Sequence, residues 1–250
     1  MFSIFGTSTD KAWKALGRDD PYFGVLAQRE FSRENLSAAS LEKFFQSGEA
    51  ATAELLSVVE RIAIPPPRLG RALDFGCGVG RMIIPLASRF KEVIGVDVSE
   101  HMLAEAARNV SHRQLANVTL FADIPNMEFD LVHSVLVFQH INPRRGADII
   151  LKCWSRVAQG GVLAVQVPIR FVGHRTVWWL RKLRDILPIL QVPYNLLSGN
   201  RWNKPGVQMN LYDVNSLAAN LLERGAKQIV LTRQDSDALF SGIYVLAIKE

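Results

Sequence analysis

With only two cysteines in 250 residues, Cys77 and Cys153, the chain has no disulfide framework and no cysteine-based metal-ligand spacing. Reduced thiols and a cytoplasmic location are the matching expectations. No stretch reaches the roughly 18 uninterrupted apolar residues of a membrane-spanning helix. Residues 1–17 include Asp10 and lack the long apolar run of a signal peptide. No His/Cys/Asp/Glu cluster has a recognisable coordination spacing, so no metal is expected. Repeats and low-complexity tracts are missing as well. Acidic residues are outnumbered, 24 Asp and Glu against 29 Lys and Arg, for a formal charge of +5. An excess that small is common in soluble enzymes, although it also eases the approach of an anionic substrate, nucleic acid or membrane surface. Apolar residues make up 48% of the chain. That supplies one three-layer domain, with or without a small cap, burying roughly 70–75% of the extended chain's surface.

The most informative stretch is Arg71 to Val98. Ala72-Leu73-Asp74 end a buried strand, and Phe75-Gly76-Cys77-Gly78-Val79-Gly80-Arg81 follow. Met82 to Ala87 supply the apolar side of a helix that Pro85 is placed to bend, and Val93 to Val96 form a second strand ending in Asp97. Strand, glycine turn, helix, strand and acidic residue form half of a doubly wound nucleotide-binding unit. The glycines leave room for a ligand against the backbone, and the helix start offers unpaired N–H groups. Asp97 is placed to accept both hydroxyls of a ribose. A dinucleotide turn carries glycine or alanine three positions after its second glycine, where this chain has Arg81. Asp74 just before the turn is a poor neighbour for a pyrophosphate, and no Lys-Ser/Thr follows to make a P-loop. A nucleoside carrying positive charge and no phosphate fits best.

Leu73 to Arg81, LDFGCGVGR, then resembles the class I S-adenosylmethionine-dependent methyltransferases. So do Val93 to Leu103, Phe121 to Pro125, Phe129 to Ile141 and Gly160 to Pro168, in the order and spacing of that family. The resemblance implies an α/β fold: a three-layer sandwich around a seven-stranded, mostly parallel sheet whose last strand is antiparallel, with a helical cap. Residues 1–67 are expected as an N-terminal helical extension. Residues 68–250 are expected as the cofactor domain, with a cap insertion at about 169–210.

Along the chain, residues 1–60 read as mostly helical: a short segment from Asp10 to Gly17, a stripe of Leu41, Phe44 and Phe45 reaching Gly48, then a longer helix through Ile62. Pro65-Pro66-Pro67 is a stiff boundary. Strands are expected at 71–75, 93–96, 118–121, 129–135 and 162–167, and helices at 79–89, 100–109 (capped by Ser99) and 144–157. Short apolar runs alternating with helical ones imply a parallel sheet covered on both faces. After the interruption at 169–210, which holds a helix near 177–187 and an irregular 188–200, a helix at 215–224 and strands at 227–231 and 242–248 close the chain.

By the resemblance, Asp74, Gly76, Cys77, Gly78 and Gly80 surround the methionine end of S-adenosylmethionine, and Val98 and Met102 pack on its adenine. Asp123 and the Ile124 backbone meet the adenine edge, with an Asx turn before Pro125 as the plainer role for Asp123. Ser134, Val135 and Leu136 pass beside the sulfonium. Arg81 is expected to face solvent from the helix, and His133 to be a hydrogen-bonded structural histidine. His140 is the candidate general base, against a purely structural role with one nitrogen on a loop carbonyl. Trp13, Tyr22, Phe23, Gln139, Trp178, Met209 and Tyr212 are candidates for the substrate pocket, or else anchors of the cap. Between Arg170 and Arg184 a run of cations surrounds Trp178-Trp179, suiting an acidic small molecule, an anionic membrane surface, or simply the wet side of a cap.

The expected activity is methyl transfer from S-adenosylmethionine to a small organic acceptor, oxygen first, leaving S-adenosylhomocysteine. Leu136-Val137-Phe138-Gln139 stands where an Asn-Pro-Pro-Tyr-like sequence would mark amino methylation of nucleic acid, so nucleic acid is not the expected partner. The alternatives are a membrane-associated or macromolecular acceptor, an NAD-linked oxidoreductase, or a nucleoside-binding protein without catalysis.

Overall fold

The computed structural model describes residues 9–63, 67–197, 206–234 and 239–250. Pro65 and Pro66 of the boundary, and residues 198–205 of the expected insertion, lie outside the described residues. β1 (Arg71–Phe75), β2 (Glu92–Val96), β3 (Val118–Phe121), β4 (Phe129–Ser134), β5 (Val157–Phe171), β6 (Ala226–Arg233) and β7 (Phe240–Lys249) join in one sheet. Their order is β3-β2-β1-β4-β5-β7-β6, and among them β7 runs opposite to the other six. The helices are α1 (Thr9–Asp19), α2 (Pro21–Val25), α3 (Ala38–Ile62), α4 (Ile83–Ala87), α5 (Glu100–His112), α6 (Pro143–Ser155), α7 (Arg175–Ile186), α8 (Gln191–Leu197) and α9 (Val214–Glu223).

Strand residues alternate between two apolar layers, as the period of two requires. Ala72, Leu131, Val162 and Leu246 meet Leu55 and Val59 of α3, Ile83 and Leu86 of α4, and Val110 of α5. Leu73, Val132, Leu163 and Val245 meet Ile150, Cys153 and Trp154 of α6 and Leu217 and Leu221 of α9. A third cluster of Tyr22, Phe31, Phe44, Phe45, Val79 and Met102 ties the N-terminal helices to the glycine turn. The expected three-layer sandwich is therefore present, and the N-terminal helices pack on it.

Four elements differ from expectation, the first being the segment expected to be irregular at 188–200, where residues 191–197 form α8. Gly48 does not end a helix: α3 runs unbroken from a Ser37–Ser40 capping box to Ile62. Gly48 is there because α3 touches the turn, and a Cβ on it would stand 2.1 Å from the carbonyl oxygen of Arg81. The helix expected at 79–89 shrinks to α4, because Gly80 sits at φ +91° and the chain is still turning at Met82. Pro85 falls in the first turn of α4, where a proline is tolerated better than in a helix interior. β5 is much longer than 162–167, with a register shift on β4 around Gly160 at φ +73°, since β4 and β7 pair along both its sides. The cations from Arg170 onward sit at the end of β5 and on α7.

Candidate functional site

The strand order reverses between β1 and β4, and the carboxyl ends of parallel strands open a crevice at such a point. A cavity of about 280 Å³ lies there. Its floor is Phe75, Gly76 and Gly78 after β1, Val96, Asp97 and Val98 after β2, Asp123 and Ile124 after β3, and Val135, Leu136 and Val137 after β4. Thr9, Asp10 and Trp13 of α1, Gly24 and Val25 of α2, and Arg145, Ile149 and Lys152 of α6 complete the wall.

The turn contributes space more than donors. Gly76 and Gly78 sit at φ +78° and +53°, which glycine tolerates and other L-residues rarely adopt. A Cβ on Gly76 would lie 2.3 Å from Val137, and one on Gly78 2.6 Å from Val25. The N–H groups expected to be free are used internally. Gly76 and Cys77 donate to the Val96 carbonyl at 2.7 and 3.0 Å, and Gly80 donates to Cys77. Gly78 N–H donates to Asp97 Oδ2 at 3.0 Å. A diphosphate cradle works by leaving such groups open. This turn closes four of them.

Asp97 Oδ1 also accepts from Ser99 N–H at 2.8 Å, so each oxygen keeps lone-pair capacity toward the cavity. Burial pushes this carboxyl up to about 6, against the pull of the Ser99 and Gly78 N–H groups, and the charge of Asp74 adds to the rise. The wall carries three carboxylates, Asp10, Asp97 and Asp123, and two cations. Both cations are paired: Arg145 with Asp10 through two bonds of 2.8 and 2.9 Å, and Lys152 with Asp123 at 2.7 Å. Lys152 holds the Asp123 carboxyl below its usual range, helped by the Ile124 N–H. Leu136, at φ +61°, is a strained position with its N–H tied to Gln166 Oε1 at 2.8 Å. An apolar slot with a carboxylate in its wall and, among the described residues, no unpaired cation there suits a positively charged nucleoside.

Residues 72–161 match a family model described as a methyltransferase domain. That match spans part of the chain and is a likeness to a methyltransferase domain over those residues. Trans-aconitate 2-methyltransferase of Deinococcus radiodurans is 37% identical over 112 residues, which are 42% of this chain and 40% of that protein. The 23S rRNA (uracil(1939)-C(5))-methyltransferase RlmD of Burkholderia thailandensis is 31% identical over 103 residues, 39% of this chain and 22% of that one. The chain thus spans less than half the length of these curated relatives. Magnesium protoporphyrin IX methyltransferase (ChlM) of Synechocystis PCC 6803, solved with bound SAH, superposes with a TM-score of 0.60 over 96% of this chain and 98% of that one. At 17% identity this is a likeness of fold.

Of the residues expected at the site, Gly76, Gly78, Asp97, Val98, Met102, Asp123, Ile124, Val135 and Leu136, together with Trp13 of α1, line the cavity. The other expected residues do not. Asp74 is buried beneath the turn, 3.3 Å from Nδ1 of His133, which has the structural role expected of it. Cys77 points into the core toward Gly95. Gly80 faces Ala106 of α5, and Ser134 donates to the Phe75 carbonyl at 2.8 Å. Arg81 does not face solvent: only 5% of it is exposed, and its Nη1 reaches the Ser47 carbonyl at 3.3 Å beneath α3. Burial pulls its guanidinium below the usual value, while Asp74 and Tyr244 oppose the fall.

The substrate-pocket candidates separate in the same way. Tyr22 is buried and donates to Glu105 at 2.8 Å, within the aromatic cluster that anchors α2 to α5. Phe23 is half-buried away from the cavity. Tyr212 is buried with its hydroxyl 3.1 Å from the Ile141 carbonyl, and Trp178 lies 5.2 Å from the Phe171 ring. Met209 gives its carbonyl to Lys182 at 3.4 Å. Gln139 is buried beside His140, with 3.0 Å between their terminal nitrogens. His140 Nδ1 faces the Gln208 carbonyl at 2.9 Å, and its ring lies 4.9 Å from Trp13. Between the Gln139 amide and the Gln208 carbonyl, the imidazole bridges the loop after β4 and residues 208–210. His140→Ala is therefore expected to lower the thermal midpoint by about 3–6 °C, the scale of roughly 1–2 kcal/mol for two lost hydrogen bonds, while the pH profile of turnover keeps its shape. Loss of a pH-profile limb would support the base role instead.

Arg145, Ile149 and Lys152 were missed by reasoning from the sequence, although their spacing of four and three puts them on one face of α6. That signal was readable. Leu136 carries no sequence signal for its backbone angle.

Proposed function

We propose that this chain binds S-adenosylmethionine in the cavity at the β1/β4 switch point and methylates an oxygen of a small organic acid. The observation that carries the reading is the Asp97 carboxylate, set opposite a glycine turn whose Gly76, Cys77, Gly78 and Gly80 N–H groups are already used. Asp97 would take the ribose hydroxyls, Val98, Met102 and Ile124 the faces and edge of the adenine, and Asp123 its amino group. Gly76 and Gly78 would leave room for the methionine end. Bound there, S-adenosylmethionine supplies a methyl on positively charged sulfur, which an acceptor lone pair displaces to leave S-adenosylhomocysteine. The chain's own work is then to bind, orient and exclude water.

An acid acceptor agrees with the positions of the protein's cations and bases. A carboxylate oxygen is already an anion, so no residue need remove a proton, and His140 is occupied by its two neighbours. Arg145, half-exposed at the rim, is the cation placed to exchange Asp10 for an acceptor's carboxylate. The trans-aconitate methyltransferases among the relatives lean the same way. The rRNA methyltransferases favour a polymer acceptor instead.

Calorimetric titration tests the cofactor. S-adenosylmethionine should bind at least about a hundredfold more tightly than NAD, a difference near 3 kcal/mol, and tighter NAD binding would end the proposal. Incubation with methyl-labelled cofactor then tests the acceptor. Label in an alkali-labile ester of a carboxylic acid supports the reading, and label in ribosomal RNA moves the acceptor to the polymer class.

A further inference from the structure

We propose that segment 170–197 docks this chain on the surface of an anionic lipid bilayer. The inference is independent of what the cavity holds. Trp178 turns inward, its ring 5.2 Å from Phe171 and 6.3 Å from Phe240. Its neighbour Trp179 does the opposite and is 65% exposed. At about 100° per residue, Trp179, Leu180, Leu183 and Leu187 fall within one arc about 100° wide. Leu180 is 66% exposed, and Ile189 and Leu197, at 77% and 90%, carry the apolar surface beyond α7. The side of a surface helix turned away from its own protein is normally polar. Here it is tryptophan and leucine.

Cations flank this arc. Arg175 and Lys182 fall on one side of it and Arg184 on the other. Lys182 Nζ lies 4.8 Å above the Trp178 ring and the Arg184 guanidinium 4.1 Å above Tyr194, so both are held at the border of the apolar surface. Between residues 170 and 197 the sequence has five Arg and Lys and one Asp, 5 − 1 = +4 of the chain's +5. A second copy of this chain would bring the same positive segment against itself across a two-fold axis, which repulsion disfavours. Nucleic acid would meet mainly aliphatic side chains where it needs flat rings for stacking. A bilayer satisfies both halves at once: acyl chains take the leucines, tryptophan sits at the headgroup level, and lipid phosphates meet the flanking cations.

The test is flotation of the full chain with phosphatidylglycerol/phosphatidylcholine vesicles and with phosphatidylcholine alone. Binding should be at least about tenfold stronger to the anionic vesicles, and should fall when salt rises from about 0.1 to 0.5 M. Tryptophan emission should shift to the blue on binding, and Trp179→Phe should remove most of that shift. The double variant Trp179→Glu/Leu183→Glu changes only exposed positions. It should keep the thermal midpoint and cofactor affinity of the parent while losing flotation. Absent flotation, equal binding to both vesicles, or unchanged binding by the double variant would each overturn the proposal. Shielding of Trp179 from acrylamide before any vesicle is added would overturn it too, because another protein surface would then cover the face.

Discussion

Asp97→Ala is expected to weaken S-adenosylmethionine binding at least about a hundredfold, measured by titration calorimetry at pH 8. Each hydrogen bond from a hydroxyl to an ionised acceptor is worth roughly 1.5–3 kcal/mol, and no other acidic residue stands at the end of β2. The same carboxyl gives the binding a pH dependence of fixed sign. Its folded value of about 6 lies above the ordinary 3.8. As pH falls through about 6 the carboxylate takes up a proton, one acceptor becomes a donor, and affinity drops. Stability of the unliganded fold runs the other way. The raised value favours the fold fully below about 4 and loses that contribution as pH rises through about 6. Asp97→Ala should therefore flatten the pH dependence of binding. Its thermal midpoint at pH 8 should fall by only a few degrees, because relief of the buried charge partly offsets the Gly78 and Ser99 bonds it loses. Affinity that stays within about threefold of the parent would remove Asp97 from the site.

Gly48→Ala should lower the thermal midpoint by about 3–10 °C, from an overpacking cost of roughly 1–3 kcal/mol. An added Cβ meets backbone at both of its nearest contacts, the Arg81 carbonyl oxygen at 2.1 Å and carbon at 3.0 Å. A flexible side chain would swing aside, but the backbone of the glycine turn has to move as a unit. Cofactor affinity should fall together with stability, since the displaced segment is the floor of the cavity. Ala50→Ser, two residues along and exposed, serves as the control and should shift the midpoint by no more than about 1–2 °C. Equal midpoints for the two variants would mean that α3 does not rest on the turn.

Most of the sheet was legible in the sequence because its central strands are buried on both faces, while the edge strand β3 shows the alternation of a half-covered one. Runs such as Leu131 to Ser134 have one reading, and β1 and β3 fall where expected. The parts that were not legible depend on partners distant in sequence. Gly48 resembles a helix end until α3 is seen against Arg81. Arg81 reads as a surface residue of a helix until that helix is found to begin at Ile83 and α3 to cover the turn. The floor of the site followed from strand ends, which is why Asp97, Asp123 and Leu136 were found. The pocket walls did not, because aromatic residues in a cap suit packing and binding equally well. Tyr22, Trp178 and Tyr212 pack, and Trp13 alone of the candidates lines the cavity.

The inward-facing Cys77 makes the glycine turn a reporter on its own breathing. The residue is 4% exposed and burial drives its ionisation well above the ordinary range, with Asp97 and Asp74 adding to the rise. A thiol reagent reaches it only in the moments when the turn lifts off β2. Cys153, fully buried in α6 and pushed up to about 12 by burial, waits on a separate opening of the opposite layer. Ligand held against Gly76 and Gly78 should slow modification of the first thiol by about the factor by which it suppresses that opening, and leave the second unchanged. The ratio of the two labelling rates, read by mass spectrometry, then measures occupancy in a mixture too crude for calorimetry.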